Sequence, residues 1–497
     1  MDIVHKPTFS PDKAPSLLLI AIMAIGALCL DKVYGYKVTQ DSTELSNFLT
    51  WHLRREIFSD YHSRPPAKLW VFQALLLLEL YEKMYSTRGM HKQAHIHHAT
   101  TITLMRRGSL LTGSSALDSP PNVTDKGWTR WITNEATRRT AFAAFVIDST
   151  HATMFRHSAV MAVHEMRLSL PCDEALWTST NSAEASLHTK GVKPILFLEG
   201  LERTLNGQEV RTNSFGRTIL MAGLLSVSWH MNQRDLQLKS LDVSQTLSRR
   251  DKWRILLTRA FDLWKTDFDR SLARNSEAIP RPYINNGKQE ESVVFENRTV
   301  LHHLAHIAIH VDIVDCQIFA RAKRLLGRTI RSQDLNTTQY CMNNWAPTAK
   351  ARDATWHTLQ LLCTVLLPEG SGQNVAHGYK DPSFEYSARD DVLLNRPWVL
   401  YFAALIVWCY GFTLEGPITT PIPDAYDFDE QVRDMRMYLR RLGGARSPEE
   451  LKQMRHFNGC SSLLIVLRSL FGKTRWELLY EAALLLNNCI QLLGGQS

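Results

Sequence analysis

The chain has 497 residues, of which 44% are hydrophobic and 21% are charged, and its formal net charge is +8. This composition indicates a globular protein with a large core, and the length corresponds to about three average domains. The longest basic clusters are pairs such as Arg106-Arg107 and Arg249-Arg250. Such short clusters argue against a polybasic DNA-binding arm or a strong nuclear-import run.

The cysteine pattern argues against a disulfide framework and against a cysteine-based zinc site. Both need ligands or partners at short, paired spacing. The eight cysteines stand far apart in the chain, at Cys29, Cys172, Cys316, Cys341, Cys363, Cys409, Cys460 and Cys489. We interpret them as free, mostly buried thiols in a reducing compartment.

The N-terminal region, residues 1–15, reads as irregular, and Ser16 is placed to cap an apolar run from Leu17 to Leu30. This run is shorter than the ~20 residues that a helix needs to cross a bilayer. Lys6 and Lys13 precede it, so a signal peptide is the alternative interpretation.

Apolar residues then recur every three to four positions, which predicts helices at 43–58, 68–86 and 89–107. A loop rich in Ser, Pro and Gly follows at 112–127, and Asp125 or Thr129 is positioned to cap the next helix.

That helix runs from Trp128 to Phe155 and has an apolar stripe that is interrupted by two charges. Glu135 and Arg139 share the face of the stripe, whose apolar members are Trp128, Trp131, Ile132, Phe142 and Val146. The acid stands four residues before the base, which is the favourable order for a helical ion pair. Because an unpaired buried charge is costly, we predict that Glu135 and Arg139 form a structural ion pair. A catalytic carboxylate at Glu135 is the alternative.

The sequence after Phe155 predicts further helices and no confident strand. His164–Leu170 reads as extended, Asp173 can cap a short helix through Trp177, and 178–191 reads as a polar loop. Residues 275–292 form the best candidate linker. Helices are predicted at 192–205, 213–235, 249–273, 293–327, 332–345, 347–367, 390–413, 426–442, 447–456 and 460–492, the last broken near Gly472. The predicted fold class is therefore all-α.

Three stretches resemble the regulatory (middle homology) domain of fungal zinc-finger transcription factors. They are His5–Phe9, the motifs Trp-x-x-Trp, Glu-x-x-Arg-Arg-Thr and Phe-x-x-Asp between Trp128 and Asp148, and Leu170–Trp177. The resemblance implies a large multi-helix bundle of that regulatory type, with the apolar run from Leu17 to Leu30 as its first core helix. It implies an N-terminal helical core at 1–275, with a C-terminal helical region at 293–497 packed on it as part of the same globular unit.

The resemblance also implies a function, which is regulation of DNA-templated transcription in the nucleus. In this family DNA is bound by a zinc-finger region, in the most similar branch a pair of two-Cys, two-His fingers. The sequence contains neither that finger spacing nor a six-cysteine cluster. A truncated gene model and a finger-less paralogue both remain open. Zinc is expected only in the absent finger, with no cofactor in this chain. Expected partners are protein co-regulators or a second copy, and a small-molecule inducer, but no membrane.

Two histidine groups have the spacing of one helical face. They are His91, His95 and His98, and His302, His306 and His310. Such faces can hold a metal ion, but neither contains the His-Glu-x-x-His arrangement of zinc hydrolases. We interpret both as packed, hydrogen-bonded histidines and assign no metal ligand. A metal site is the alternative.

Other potential chemistry is incomplete. Asp148 and His151 lack a nucleophile elbow and are interpreted as a capping or solvent pair. Gly472-Lys473-Thr474 lacks the first glycine of a phosphate-binding loop. Asp312 with Asp315, and Asp390 with Asp391, form no convincing magnesium cluster. We therefore predict that the chain is not an enzyme and assign no catalytic or cofactor-binding residue. The alternatives are a helical enzyme with an unrecognised site and a secreted or membrane-anchored helical protein.

Overall fold

A computed structural model describes residues 3–27, 30, 34, 36–112, 124–188, 194–240, 247–278, 285–367, 384–418 and 427–495. Across these ranges the regular structure is helical apart from one two-stranded hairpin, which confirms the predicted all-α class. The chain divides into two compact units, Met1–Asn285 and Asn286–Ser497.

The described residues of the first unit contain ten α-helices. They are α1 (Ser16–Gly26), α2 (Tyr36–Ser59), α3 (Leu69–Met84), α4 (Arg88–Arg107), α5 (Asp125–Phe155), α6 (Glu174–Trp177), α7 (Ser182–His188), α8 (Phe197–Leu205), α9 (Ser214–Ser240) and α10 (Leu247–Ala278).

The next eight helices begin at the boundary between the units. They are α11 (Asn285–His310), α12 (Ile313–Phe319), α13 (Ser332–Trp345), α14 (Ala349–Leu366), α15 (Arg396–Glu415), α16 (Phe428–Gly443), α17 (Ser461–Phe471) and α18 (Glu477–Leu493). The hairpin pairs β1 (Arg324–Leu325) with β2 (Arg328–Thr329) in antiparallel register. The predicted break near Gly472 is confirmed, because α17 ends at Phe471.

The core of the first unit forms around α3 and α5. Leu18 and Ala21 of α1 pack with Val71 and Leu75 of α3, all four fully or almost fully buried. Helix α5 packs against α9 and α3. This places the stripe that was read from the sequence inside the protein.

Several predicted helix ends in the first unit were wrong. Pro15, not Ser16, is the N-cap of α1. Thr124 caps α5, accepting a hydrogen bond from the Gly127 amide, where Asp125 or Thr129 was expected. Helix α7 occupies part of the loop predicted at 178–191, and α8 starts five residues later than predicted, at Phe197 rather than 192. The start of α5 has a side-chain cap, whereas the starts of α1 and α8 have none, and apolar periodicity specifies neither kind of helix end.

The region predicted as a linker, 275–292, is largely helical. Helix α10 continues to Ala278 and α11 begins at Asn285. The residues between them, 279–284, lie outside the described residues, as do 113–123 of the predicted loop at 112–127.

The predicted helix at 293–327 is wrong in its second half. Helix α11 ends at His310, and the Asp312 carboxylate accepts a hydrogen bond from the Val314 amide to start α12. The hairpin follows, with φ of 47° at Leu326 and 82° at Gly327 in its turn. Positive φ at both central residues is the geometry that matches the twist of a two-residue hairpin.

Helix α15 is the central helix of the second unit. It is long and apolar enough to cross a membrane by length and composition, and 83% of its most apolar window is buried inside the protein. Tyr401, Phe402 and Trp408 are among its buried side chains. Burial of this kind is typical of the core helix of a globular unit.

Candidate functional site

The ion pair predicted on α5 is confirmed, and a second arginine joins it. The Arg139 Nε donates to one oxygen of Glu135 at 3.1 Å, and Arg138 Nη1 donates to the other at 2.9 Å. The Cys172 amide donates to the same carboxylate at 3.0 Å. Glu135 is 1% exposed, so its charge is balanced entirely by protein groups.

Arg139 connects α5 to the Leu170–Trp177 segment. Its Nη2 donates to the Cys172 carbonyl at 3.2 Å and lies 3.5 Å from the Glu174 carboxylate. Its guanidinium also lies over the Trp177 ring, 4.4 Å from the centroid. The planar fork and the charge of arginine suit these contacts together.

The N-terminal stretch reaches the same place through His5. The His5 ring lies 4.7 Å from the Trp177 ring and 6.0 Å from the Trp128 ring, in edge-on contacts. Trp128 stacks on Trp131 at 5.1 Å. Burial lowers the pKa of His5, so the ring is neutral at pH 7. The three motif stretches, separate in sequence, therefore form one packed cluster.

Among the described residues of this cluster, the central Glu135 carboxylate is buried and both of its oxygens are hydrogen-bonded. Glu135 accepts hydrogen bonds from Arg138, Arg139 and the Cys172 amide. Burial and the nearby Glu135 charge raise the pKa of the Cys172 thiol, which makes a thiolate nucleophile unfavourable. The hydrogen bonds to the Cys172 backbone hold its segment against α5.

A second buried polar cluster connects α3, α4 and α5. The Lys83 ammonium donates to Glu79 at 2.6 Å, and His98 contacts Glu79 at 2.8 Å and Asp148 at 3.0 Å. Burial opposes the charge on His98, but Glu79 and Asp148 outweigh it and raise the pKa of His98 to about 9. Burial likewise opposes the charge on Glu79, but His98 and Lys83 hold the pKa of Glu79 well below its usual value. Two cations and two anions thus balance inside the core.

The interpretation of Asp148 and His151 as a capping or solvent pair is wrong. Asp148 is fully buried and accepts hydrogen bonds from the Val160 and Met161 amides as well as contacting His98. His151 is also buried, and burial holds its pKa well below the usual value. The sequence could not show that the chain folds back to place residues 160–161 against α5.

The first histidine group packs as hydrogen-bonded histidines, as predicted. His91 bonds the Lys83 carbonyl at 3.0 Å, and the Nε2 atoms of His91 and His95 are 3.1 Å apart. The His95 and His157 rings are 4.2 Å apart. Burial lowers the pKa of His91 and of His157 to about 4, so both are neutral at pH 7.

An open pocket of about 290 Å³ lies where α2 faces α3 and α4. Its lining is Trp51, His52, Arg54, Arg55, Phe58, Glu82, Met90, Gln93 and His97. Glu82 is paired by two hydrogen bonds from Arg54, at 2.9 and 2.7 Å. The described lining thus combines apolar side chains with Arg54, Arg55 and the paired Glu82. Residue spacing along one helix gives no signal for this pocket, because its residues come from three helices.

The structure changes the membership of the second histidine group. His302 and His306 of α11 meet His357 of α14, and one ligand nitrogen from each of the three lies within 4.8 Å of the others. His310, the third member expected from the spacing, lies farther along, with its ring 6.4 Å from that of His306. Helical spacing identified the first two residues but gave no signal for His357.

The acidic pairs do not form a magnesium-type site among the described residues. Asp312 caps α12, and Asp391 accepts two hydrogen bonds from Arg396, at 2.6 and 2.7 Å. Asp390 accepts a hydrogen bond from the Ser387 hydroxyl at 2.7 Å. These carboxylates stabilise helix starts and loops.

Comparison with known proteins gives a family match. The pattern of the fungal specific transcription factor domain matches residues 1–266, which lie within the first compact unit. No solved structure matches the chain.

Three curated relatives are informative. The chain is 26% identical to zinc finger protein klf1 of Schizosaccharomyces pombe over 98% of this chain and 59% of that protein. It is 27% identical to the nicotinate catabolism cluster-specific transcription factor of Emericella nidulans over 84% and 46%. It is 26% identical to zinc finger protein zas1 of Schizosaccharomyces pombe over 83% and 43%. The chain therefore spans about half the length of the relatives it matches.

Proposed function

Because this chain belongs to the fungal specific transcription factor domain family, we propose that it is the regulatory region of a fungal transcription factor and works in the nucleus. The observation that carries the proposal is the packed cluster of the three motif stretches around Glu135 and Arg139, inside the residues that match the family. The relative named as a nicotinate catabolism cluster-specific transcription factor supports the same role. We propose no enzymatic activity for this region.

DNA recognition would then come from a zinc-finger region outside these 497 residues. Two of the relatives are named zinc finger proteins, and the chain covers only part of each. Base-specific contacts require side chains presented by a DNA-binding motif, and the sequence has no finger spacing. An open reading frame upstream of the Met1 codon that encodes paired Cys and His residues at finger spacing would support this origin.

The pocket between α2, α3 and α4 is the surface we propose for a co-regulator. Along α2, Leu45, Phe48 and Trp51 are each more than half exposed, although they are apolar. His52 and Arg55 lie beside them at the pocket. An apolar stripe next to basic side chains is complementary to an amphipathic helix with acidic residues, which is the occupant we propose.

The test is a reporter assay with the full chain fused to an unrelated DNA-binding domain. The fusion should change reporter transcription relative to that domain alone. Trp51→Ala with Arg55→Glu should remove most of the change, because it removes an apolar anchor and reverses a charge. Tyr340→Ala, at a site that is 70% exposed in the second unit, is the matched control and should retain it.

Two results would contradict the proposal. A fusion that leaves transcription unchanged would argue against a regulatory role. If the Trp51→Ala, Arg55→Glu variant still changed reporter transcription, the partner surface would have to lie elsewhere on the chain.

Localisation is tested with a C-terminal fluorescent tag, and cleavage near Gly26–Asp31 or secretion would contradict the nuclear assignment. The burial of Leu18 and Ala21 of α1 against α3 supports a core helix at this position.

A further inference from the structure

The histidines of the second unit form a compact group that regulation of transcription does not explain. His302, His303, His306 and His357 are 3–7% exposed. The rings of His302 and His306 are 4.7 Å apart, and those of His306 and His357 are 3.8 Å apart. Four imidazoles at this density are unusual in a core, where apolar side chains fill space without polar atoms to satisfy.

Three of them already present nitrogen atoms to a common point. One ligand nitrogen each from His302, His306 and His357 lies within 4.8 Å of the other two. In tetrahedral zinc coordination with Zn–N bonds of about 2.0–2.1 Å, ligand nitrogens are separated by roughly 3.3 Å. The group thus needs small ring rotations, including a tilt of His306 and His357 out of their stacked arrangement, to close on a cation.

From this geometry we propose that His302, His306 and His357 form a Zn²⁺ site that joins α11 to α14. His302 and His306 are one helical turn apart on α11, and His357 faces them from α14. Imidazole nitrogens are preferred zinc ligands, and three with one further ligand is a common zinc set.

Side chains around the three histidines supply contacts that orient metal ligands in proteins. The Nδ1 atoms of His303 and His357 are 3.2 Å apart, which uses that nitrogen of His357 and leaves Nε2 to coordinate. A hydrogen bond to the non-coordinating nitrogen is the usual way of orienting a histidine ligand. Asp353 stands one turn before His357 on α14 and is partly buried.

Among the described residues, this is the group of His, Cys, Asp and Glu side chains whose ligand atoms converge in this way.

The experiment uses the full chain without an affinity histidine tag. Elemental analysis after dialysis should find about one zinc per chain, the stoichiometry of a single closed site. His306→Gln with His357→Gln should lower the content to background. His91→Gln, at a similarly buried His–His contact in the first unit, is the matched control and should keep the zinc. Circular dichroism of each variant distinguishes a lost site from a lost fold.

Three further measurements keep the proposal testable if the double variant does not fold. Co²⁺ added to the metal-free chain should give the visible absorption of tetrahedral nitrogen coordination, and the single variant His302→Gln should weaken Zn²⁺ binding at least about tenfold. Zn²⁺ should also raise the Tm of the metal-free chain. Zinc-free protein whose Tm does not respond to Zn²⁺, or zinc that persists after substitution of His306 and His357, would overturn the assignment. Neither result bears on the proposed role in transcription.

Discussion

At the scale of single residues, Arg139 is the clearest structural determinant of the first unit. It is fully buried, bonds Glu135 on its own helix and reaches the Cys172 carbonyl and the Trp177 ring on another segment. Removing one partner of a buried ion pair leaves the other charge without compensation, which costs far more than the pair itself contributes.

Arg139→Ala should therefore destabilise the protein by about 3–5 kcal/mol. Arg203→Ala is the matched control, because Arg203 pairs with Glu199 at the same i, i+4 spacing but both side chains are more than 40% exposed. The loss of that exposed pair should cost no more than about 1 kcal/mol. Urea unfolding of the three proteins measures the difference, and equal costs for the two variants would refute the role given to Arg139.

His98 makes stability depend on pH in a particular window. Its pKa is about 9 in the folded chain and near 6.5 in the unfolded chain. Its contribution to the free energy of unfolding is therefore complete below pH 6.5 and is lost as the pH rises toward 9. His91 and His157 have pKa values of about 4 in the folded chain, so they make the free energy of unfolding rise with pH, and only below about pH 6.5.

Between pH 6.5 and 8 the free energy of unfolding should fall by up to about 1.4 kcal/mol per pH unit because of His98. His98→Gln should remove most of this slope, whereas His157→Gln should preserve it. Urea titrations at several pH values within the window give the slopes. The window ends at pH 8, below the range in which cysteine thiols of the unfolded chain ionise. Above that range, buried thiols such as Cys460, whose pKa is raised by burial to about 12, would also make the free energy of unfolding fall with pH. An unchanged slope in His98→Gln would show that another group dominates.

At the scale of elements, the approach of α15 to the segment before α17 depends on a glycine. A Cβ at Gly411 would lie 2.5 Å from the backbone carbon of Phe457 and 2.7 Å from the Asn458 nitrogen. Backbone atoms cannot rotate away as a side chain can, so the helix and the segment would have to separate.

Gly411→Ala should cost about 1–3 kcal/mol and lower the Tm, as overpacking in a closed core does. Gly89→Ala in α4 is the control, because the nearest atom to its added Cβ is 3.8 Å away. That variant should be neutral or more stable by up to about 1 kcal/mol, through the higher helix propensity of alanine. Differential scanning calorimetry compares them, and a neutral Gly411→Ala would mean that the close contact is not required.

At the scale of the whole molecule, charge distribution sets the expected behaviour toward DNA. The net charge of +8 is dispersed over the chain and not concentrated in a basic run. Dispersed charge gives weak, salt-dependent attraction without base readout.

The 497-residue chain alone should thus bind a genomic promoter fragment and a scrambled duplex with the same affinity, and binding should weaken steeply between low and physiological salt. Fluorescence anisotropy with both duplexes measures this. A preference for one sequence that survives physiological salt would show that a DNA reader is present within these residues.

Sequence patterns by themselves determined the helical class, most helix positions, the pairing of Glu135 with Arg139 and the resemblance to a family. Each of these follows from spacing along one helix or from motif order, which is local information. The end of α11 at His310 was missed because the Asp312 cap is a local side-chain choice that apolar periodicity does not encode.

Tertiary structure alone decided which distant residues meet. It brought His357 to His302 and His306, placed Asp148 against His98 and the backbone of 160–161, and assembled the pocket of α2, α3 and α4. These contacts join residues of separate helices, or of α5 and the irregular segment at 160–161. The packing of those elements, not residue spacing, sets them. A single sequence specifies the faces that helices bury, while the partner of each face is fixed only when the helices pack.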